Sequence, residues 1–322
     1  MFALPSGVLN SASLRYLEVV VGIVPDSLLK LPAATSFGGL ESLKLERMSV
    51  SIELFSEWIS SCKSLKMLFL DDIFGIAELN ISSSSLEKLI LEDLMVSFDD
   101  HDSFCIKVSA ERLSYLRIKY WTVKPQIYSL TLHAPKLEQF SWHGIVSHYS
   151  YDGSFESLSY SNLSILPCTS SDDEHGALAN GIIGKVLETI CRVSSLCIMI
   201  TVFRVFLLIS TLRLNTLKIH RWDISEDSPS SQVEEEEQIC YTAEYWESQN
   251  LEFVYSLKEV EMEIRGEENE IELIKYLLKD AESLKKMTIL YPSDLCRQSV
   301  ISIKIQQFQI ASSSIALYFL QS

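Results

Sequence analysis

An α/β solenoid, with parallel strands on a concave face and helices and loops on the convex side, is the fold this sequence predicts. Two observations carry the prediction. A six-residue pattern, LxxLxL with conservative replacements, occurs nine times along the chain, and its first six copies keep a near-constant spacing. Segments between copies read as amphipathic helices or polar loops. An ordinary α/β sheet also buries parallel strands under helices, but it does not repeat one signature at one period.

The copies begin at Leu14, Leu40, Leu65, Leu86, Leu113 and Leu137, and then at Leu214, Leu257 and Leu284. In the first series the starts are 26, 25, 21, 27 and 24 residues apart, within or just above the length of one leucine-rich repeat. Side chains alternate between the two faces of a strand, so the fourth and sixth residues of each copy share the core face. The first residue enters the same core from the preceding turn. In SLEKLILEDL, Leu89 and Leu91 are therefore strand residues and Leu86 is the turn anchor. A single strand of this kind cannot bury its own leucines. Stacked in parallel about 4.8 Å from its neighbours it can, and each buried leucine is worth roughly 1.5 to 3 kcal/mol.

The return segments follow in order. In SIELFSEWISSCKSL, Ile52, Phe55, Ile59 and Cys62 form one apolar stripe at helical spacing, with Ser51 as N-cap. The acidic DDHDS at 99–103 reads as a loop. From 144 to 212 the pattern weakens to forms such as FESLSY at 155–160, and repeat boundaries there stay open. VSSLCIMITVFRVFLLISTL, 193–212, is nearly all apolar, but the central Arg204 and the β-branched residues favour a buried strand and an apolar return over a membrane span. In EENEIELIKYLLKDAESL, Ile271, Ile274, Leu277, Leu278 and Ala281 make a second helical stripe, and the glutamates of EENEIE read as a solvated face.

Composition narrows the function classes. The chain has 322 residues, 47% of them apolar, enough for a large core. Its seven cysteines are scattered and contain no CxxC, which suits reduced thiols and gives no zinc site. MFALPSGVLNSASLRYLEV lacks the basic and apolar regions of a secretory signal, so the expected location is cytoplasmic or nuclear. Net charge is −16, and the window from Asp223 to Glu272 holds −15 of it. A nucleic-acid binder needs a basic face instead, and no direct nucleic-acid or membrane partner is expected.

Nothing argues for catalysis or a cofactor. No HExxH, GxSxG or GxxxxGK is present. His143 and His148, five apart, read as a partly exposed turn and not as metal ligands.

Binding is the function the repeat geometry favours. The third and fifth positions of each copy point away from the core: Ser42 and Lys44, Met67 and Phe69, Lys88 and Ile90, Tyr115 and Arg117, Gln139 and Ser141. Asp71, Glu92, Lys119 and His143 lie just past them. Phe69, Ile90 and Tyr115 are apolar or aromatic where solvent is expected, and Arg117 is close by; such residues dominate binding hot spots. A protein target on the concave face is the expected partner. Further on, Glu259, Glu261 and Glu263 alternate on one strand face and, with EEEE at 234–237, form an acidic surface that either steers a basic partner or guards an edge.

The residues also resemble a known family, the plant F-box/LRR proteins that end in an FBD domain. Glu244 to Leu290 is similar to the FBD pattern of strand, loop, helix and strand, and Gln307 to Leu320 resembles its closing element. LPSGVLNSASLRYLEV and LPAATSFGGLESLKLERM resemble that family's repeats. The resemblance implies a leucine-rich repeat region over 1–222, an acidic linker or loop over 223–243, and an FBD-like strand-helix-strand cap over 244–322 that continues the solenoid. It also implies the substrate-binding half of an SCF-type ubiquitin ligase component. The ligase adaptor is a partner only of a longer form, because no F-box precedes Leu14 here. The alternative is a stand-alone repeat scaffold with no ubiquitin role.

Overall fold

The structure is a computed structural model that describes residues 2–3, 8, 11, 13–21, 28–30, 38–50, 52–76, 78–94, 104–120, 128–144, 148–152, 155–165, 185–186, 190, 193–200, 214–221, 242–249, 251–291, 298–308, 310–311 and 314–321. Two compact units divide it: Met1–Ser161 with Ile165–Ile190, and Asn162–Ser164 with Cys191–Ser322.

The first unit opens with β1 (Phe2–Ala3), β2 (Tyr16–Val20), β3 (Leu28–Lys30), β4 (Ser42–Val50) and α1 (Ile52–Ser61). Then come β5 (Met67–Phe74), β6 (Glu78–Ser82), β7 (Lys88–Glu92), β8 (Phe104–Ser109) and β9 (Tyr115–Lys119). It continues through β10 (Tyr128–His133), β11 (Gln139–Gly144) and β12 (His148–Tyr151) to β13 (Tyr160–Ile165), whose residues divide between the units. Strands β4, β5, β7, β9 and β11 are neighbours in one parallel sheet, and each begins at the third residue of an LxxLxL copy.

A recurring hydrogen bond sets this register. The carbonyl of the second residue in one copy accepts the N–H groups of the second and third residues in the next. Arg15 thus accepts from Glu41 and Ser42, Glu41 from Lys66 and Met67, Lys66 from Glu87 and Lys88, and Glu87 from Ser114 and Tyr115. Every repeat is therefore hung on its predecessor in the same phase. Leu43, Leu68, Leu89 and Leu116 align across the sheet, as do Leu45, Leu70, Leu91 and Ile118, and all eight are fully buried.

A turn that the LxxLxL pattern omits precedes the anchor leucine. Leu65 N–H bonds to the Cys62 carbonyl, Leu113 to Ala110 and Leu137 to Ala134, and each partner is buried. The chain takes φ near +50° at Arg47 and Asp72, inside β4 and β5, and at Asp93, just after β7, each two residues past the LxxLxL copy's last leucine. Gly144 holds the equivalent place after Trp142 with φ 137°, and a Cβ there would sit 3.2 Å from Tyr120 Cβ. Glycine is required at 144 by both conformation and space.

Behind the first sheet the returns were expected to be helices and loops. Among the described residues of this unit one long helix, α1, fills that role, and Phe55, Ile59 and Cys62 are buried as its stripe requires. Trp58 is buried as well. Ser51 and the 99–103 loop lie outside the described residues. The other returns are strands: β6, β8, β10 and β12 pair in parallel as a second sheet. Their sequences, such as ELNIS and FCIKVS, alternate at period two, and buried Leu79, Ile81, Ile106, Val108, Leu130 and Leu132 form their core row. These returns alternate at period two, where a helix needs an apolar stripe at three- and four-residue spacing such as that of α1.

The second unit contains β14 (Ser195–Ile200), β15 (Thr216–Arg221), α2 (Ala243–Ser248), a 3₁₀ turn (Glu252–Ser256), β16 (Glu259–Glu263), α3 (Glu268–Asp280), β17 (Lys286–Tyr291), α4 (Gln298–Gln306) and β18 (Ala316–Gln321). Its strands stack in parallel in chain order. The same carbonyl ladder recurs through Ser194, Asn215 and Lys258. Within the apolar run 193–212, Leu196, Cys197 and Ile198 are buried on β14, as a strand reading requires; 201–212 lie outside the described residues. Among the described residues no helix is long and apolar enough to cross a membrane. Among the described cysteines, Cys62, Cys105 and Cys197 are in no disulfide.

Helix α3 follows its predicted stripe, with Ile271, Ile274, Leu277, Leu278 and Ala281 buried. The solvated reading of EENEIE is corrected at Glu270, which is only 4% exposed. Its Oε2 accepts the N–H groups of Arg265 at 3.0 Å, Gly266 at 2.8 Å and Glu267 at 2.9 Å. The three donors lie in the segment that leads into α3, up to its N-cap Glu267, and the carboxylate also complements the positive end of the helix. Gly266, at φ 85°, leaves room for Ile301, whose Cδ1 would lie 2.2 Å from any Cβ there.

Candidate functional site

Because the fourth and sixth residues of each repeat go to the core, the residues between and after them share the opposite face of the first unit's main sheet. Register arranges them in three rows. Ser42, Met67, Lys88, Tyr115 and Gln139 form the first, and Lys44, Phe69, Ile90, Arg117 and Ser141 the second. Glu46, Asp71, Glu92, Lys119 and His143 form the third. The predicted binding residues are thereby brought side by side on one face. Most are half-buried, Gln139 is exposed, and Ser141 is buried, contrary to the solvent-facing place expected of it.

The charges are organised around the apolar centre. Lys44 Nζ lies 2.7 Å from Glu46 and 2.9 Å from Glu18, and both hydrogen bonds hold the ammonium above its ordinary range. The same nitrogen is 5.2 Å from the centre of the Phe69 ring, and Lys88 Nζ is 4.8 Å from that of Tyr115. Both distances are within cation–π range. Arg117 Nε sits 3.0 Å from Glu92 Oε1 but has no aligned hydrogen bond. Two aromatic rings and an isoleucine therefore lie among cations of which Lys44 and Arg117 already have carboxylate neighbours.

Asp71 is the exception: among the described residues its carboxylate has neither ion pair nor hydrogen-bond donor. Its carboxyl is pushed up to about 6, first by burial and then by Glu92, Asp93, Glu46 and Asp72. A carboxyl raised in the folded state favours the protonated form, so its contribution is best at low pH and is lost as pH rises from about 4 through 6. Asp71→Asn should raise Tm at pH 7.5 by about 2 °C, the group being partly solvated, and leave it nearly unchanged at about pH 3, below both values. Thermal melts at the two pH values check this.

At the far side of the face, His143 is on strand β11 and not in the turn expected for it. Burial, with Arg117 and Lys119, lowers its imidazole to about 4, and its Nε2 is 3.0 Å from Ser141 Oγ. His143 is therefore neutral at physiological pH. His148 belongs to β12 in the other sheet, which separates the two histidines.

In the second unit Glu259, Glu261 and Glu263 do share one face of β16. They are not a bare acidic stripe. Lys218 Nζ lies 3.0 Å from Glu261, and His220 is 3.4 Å from Glu261 and 3.6 Å from Glu263. Lys286 is Glu259's partner across the register. Basic residues on the neighbouring strands β15 and β17 offset the row, a feature that reading β16 alone did not reveal. The EEEE run at 234–237 lies outside the described residues.

Comparison with known proteins places both regions. Residues 1–149 match the family described as the LRR repeats of FBD-associated F-box protein At5g56370. Residues 253–289 match the family described as FBD. No curated protein and no solved structure matches the chain.

Proposed function

We propose that this chain, which belongs to the family of FBD-associated F-box proteins with leucine-rich repeats, is the substrate-recognising part of an SCF-type ubiquitin ligase component. Its matched regions are protein-interaction modules, and the three-row face of the first unit is the docking surface in this reading. The adaptor subunit joins through an F-box in a longer form of the protein, while residues 244–322 serve as the FBD-like unit. The reading places the protein in the cytoplasm or nucleus and assigns it no chemistry of its own.

The observation that carries it is the cluster of Met67, Phe69, Ile90 and Tyr115 on adjacent strands, half-exposed and ringed by Lys44, Lys88 and Arg117. Apolar side chains on a regular sheet face, next to arginine and with solvent access, match the composition of binding hot spots. Along the third row the acids Glu46, Asp71 and Glu92 give way to Lys119 and His143, and this change of charge gives the surface a polarity that a partner must match.

Tyr115→Ala combined with Arg117→Ala should reduce capture of the target in a quantitative pull-down by at least about tenfold, the loss of one to two hot-spot side chains. Undiminished capture by the folded double variant would overturn the docking assignment. The ligase role has a separate test: a transcript encoding an in-frame F-box, and co-precipitation of the adaptor by its product, are the expected results. Failure of both would leave a scaffold without a ubiquitin role.

A further inference from the structure

On the sheet face of the second unit that carries Glu259 and Glu261, register sets short and long side chains in a block. Thr216, Glu259 and Lys286 stand side by side on β15, β16 and β17, and Lys218, Glu261 and Thr288 form the next row. The two threonines occupy opposite corners, and the positions between them carry long side chains. Short side chains among long ones leave a hollow, and a cavity of about 60 Å³ lies there, lined by all of these residues.

The groups around the hollow do not satisfy one another. Lys218 Nζ lies 3.0 Å from Glu261 Oε1, and those two are paired. Glu259 and Lys286 are register neighbours of opposite charge, yet among the described residues neither side chain makes an ion pair or a hydrogen bond. Lys286 Nζ instead lies over the ring of Tyr318, 5.8 Å from its centre, on the far side of β17 from Glu259. Thr288 is only 4% exposed, lines the cavity, and its hydroxyl has no hydrogen-bond partner among the described residues. A nearly buried hydroxyl left without a partner is costly, and the cavity is the direction from which a partner reaches it.

We propose that this hollow takes the carboxamide of a glutamine side chain from a protein partner. Charge selects the group. With Lys218 and Glu261 paired, one carboxylate and one ammonium remain, so a cationic side chain would satisfy Glu259 and be repelled by Lys286, and an anionic one would meet the reverse. A carboxamide is neutral and carries both functions: its NH₂ donates to Glu259 and its oxygen accepts from Lys286. The Thr288 hydroxyl, donor and acceptor at once, serves the remaining N–H or lone pair. Size selects the source. Sites that take free small molecules enclose roughly 300 to 1,000 Å³, and a cavity of about 60 Å³ suits only the head of a side chain. Thr288 lies below walls of glutamate and lysine, a depth that glutamine reaches better than the shorter asparagine.

An amide-resolved NMR titration of the full chain with the end-blocked peptide Ala-Gln-Ala tests the proposal, beside the same peptide with Glu, Lys or Met at its centre. Saturable shifts at Thr216, Glu259 and Thr288 are expected with the glutamine peptide, and binding at least about tenfold weaker with the other three. Thr288→Val keeps a β-branched side chain on a buried strand and removes the hydroxyl, so it should weaken the glutamine peptide about tenfold without lowering Tm. Glu259→Ala changes an exposed position and should weaken it similarly, which decides the matter if the valine variant folds poorly. The Tyr115→Ala, Arg117→Ala variant should bind the peptide as the unaltered chain does, which separates this site from the docking face of the first unit. No saturable shift with the glutamine peptide would overturn the proposal, as would equal binding of any of the other three. Tighter binding of free glutamine than of the blocked peptide, or unchanged binding by both single variants, would overturn it too.

Discussion

Leu89→Ala destabilises the first unit by about 3 kcal/mol, the usual cost of a fully buried leucine whose cavity cannot collapse. Leu89 is 0% exposed on β7 between Leu68 and Leu116, so the truncation opens a gap in a row shared by three repeats. Because each repeat is hung on the one before it, the loss is not confined to β7. In a stack of this kind stability is a sum of repeat and neighbour terms, and a damaged interface weakens both sides. Ile90→Ala, one residue along, removes a half-exposed side chain and should cost less than about 1 kcal/mol. Denaturant titration of the two variants is the check: a midpoint shift confined to Leu89→Ala is expected, and equal shifts would mean that the faces of the strand are not separated as described.

Glu270→Ala is the second large effect, at about 3 kcal/mol, and its origin is electrostatic. One carboxylate oxygen accepts three backbone N–H groups within 3.0 Å, in a place from which water is largely excluded. Removing it leaves three donors at the start of α3 without their acceptor, and unmet buried donors cost roughly 1 to 3 kcal/mol each before water or local rearrangement relieves them. Glu270→Gln keeps a neutral acceptor and should recover about half of the loss. Thermal melts combined with amide exchange at Arg265, Gly266 and Glu267 distinguish this from general unfolding. The expected result is faster exchange at these three amides, more in the alanine variant than in the glutamine variant.

Much of this architecture was legible in the sequence, for a definite reason. A period of 21 to 27 residues and the alternation inside LxxLxL report which residues face the shared core, and Leu86, Leu89 and Leu91 are each fully buried where that logic puts them. Two stripes at helical spacing likewise located α1 and α3. The second sheet was harder to read. ELNIS and HYSY are four- and five-residue segments, too short for period two to stand out against loop composition. An additional signal was nonetheless present: Cys62, Ala110, Ala134 and Ala281 each stand three residues before an anchor leucine, and the pattern extended to that position defines the turn that precedes each strand.

The site shows the same division. That Lys44, Phe69, Ile90 and Arg117 share a face follows from counting residues along a strand. Their charge state does not, because it depends on neighbours in other repeats. Asp71 lies between Glu46 and Glu92 only through register, while Glu261 meets Lys218 across 43 positions of sequence. Glu270 defeats a charge count for a related reason. A glutamate in an acidic run is ordinarily solvated, and only the fold of Arg265–Glu267 back over the helix start turns this one inward.

Alternate residues of the first unit's strands dividing the work, one row building the core and the other meeting a partner, is the claim on which the functional reading rests. Measuring melting and target capture together for the folded Tyr115→Ala, Arg117→Ala double variant tests it most directly. A melting curve close to that of the unaltered chain, with capture reduced at least about tenfold, is the expected result. Full capture with an unchanged melt would contradict it, and so would a loss of capture that appears only as the protein unfolds.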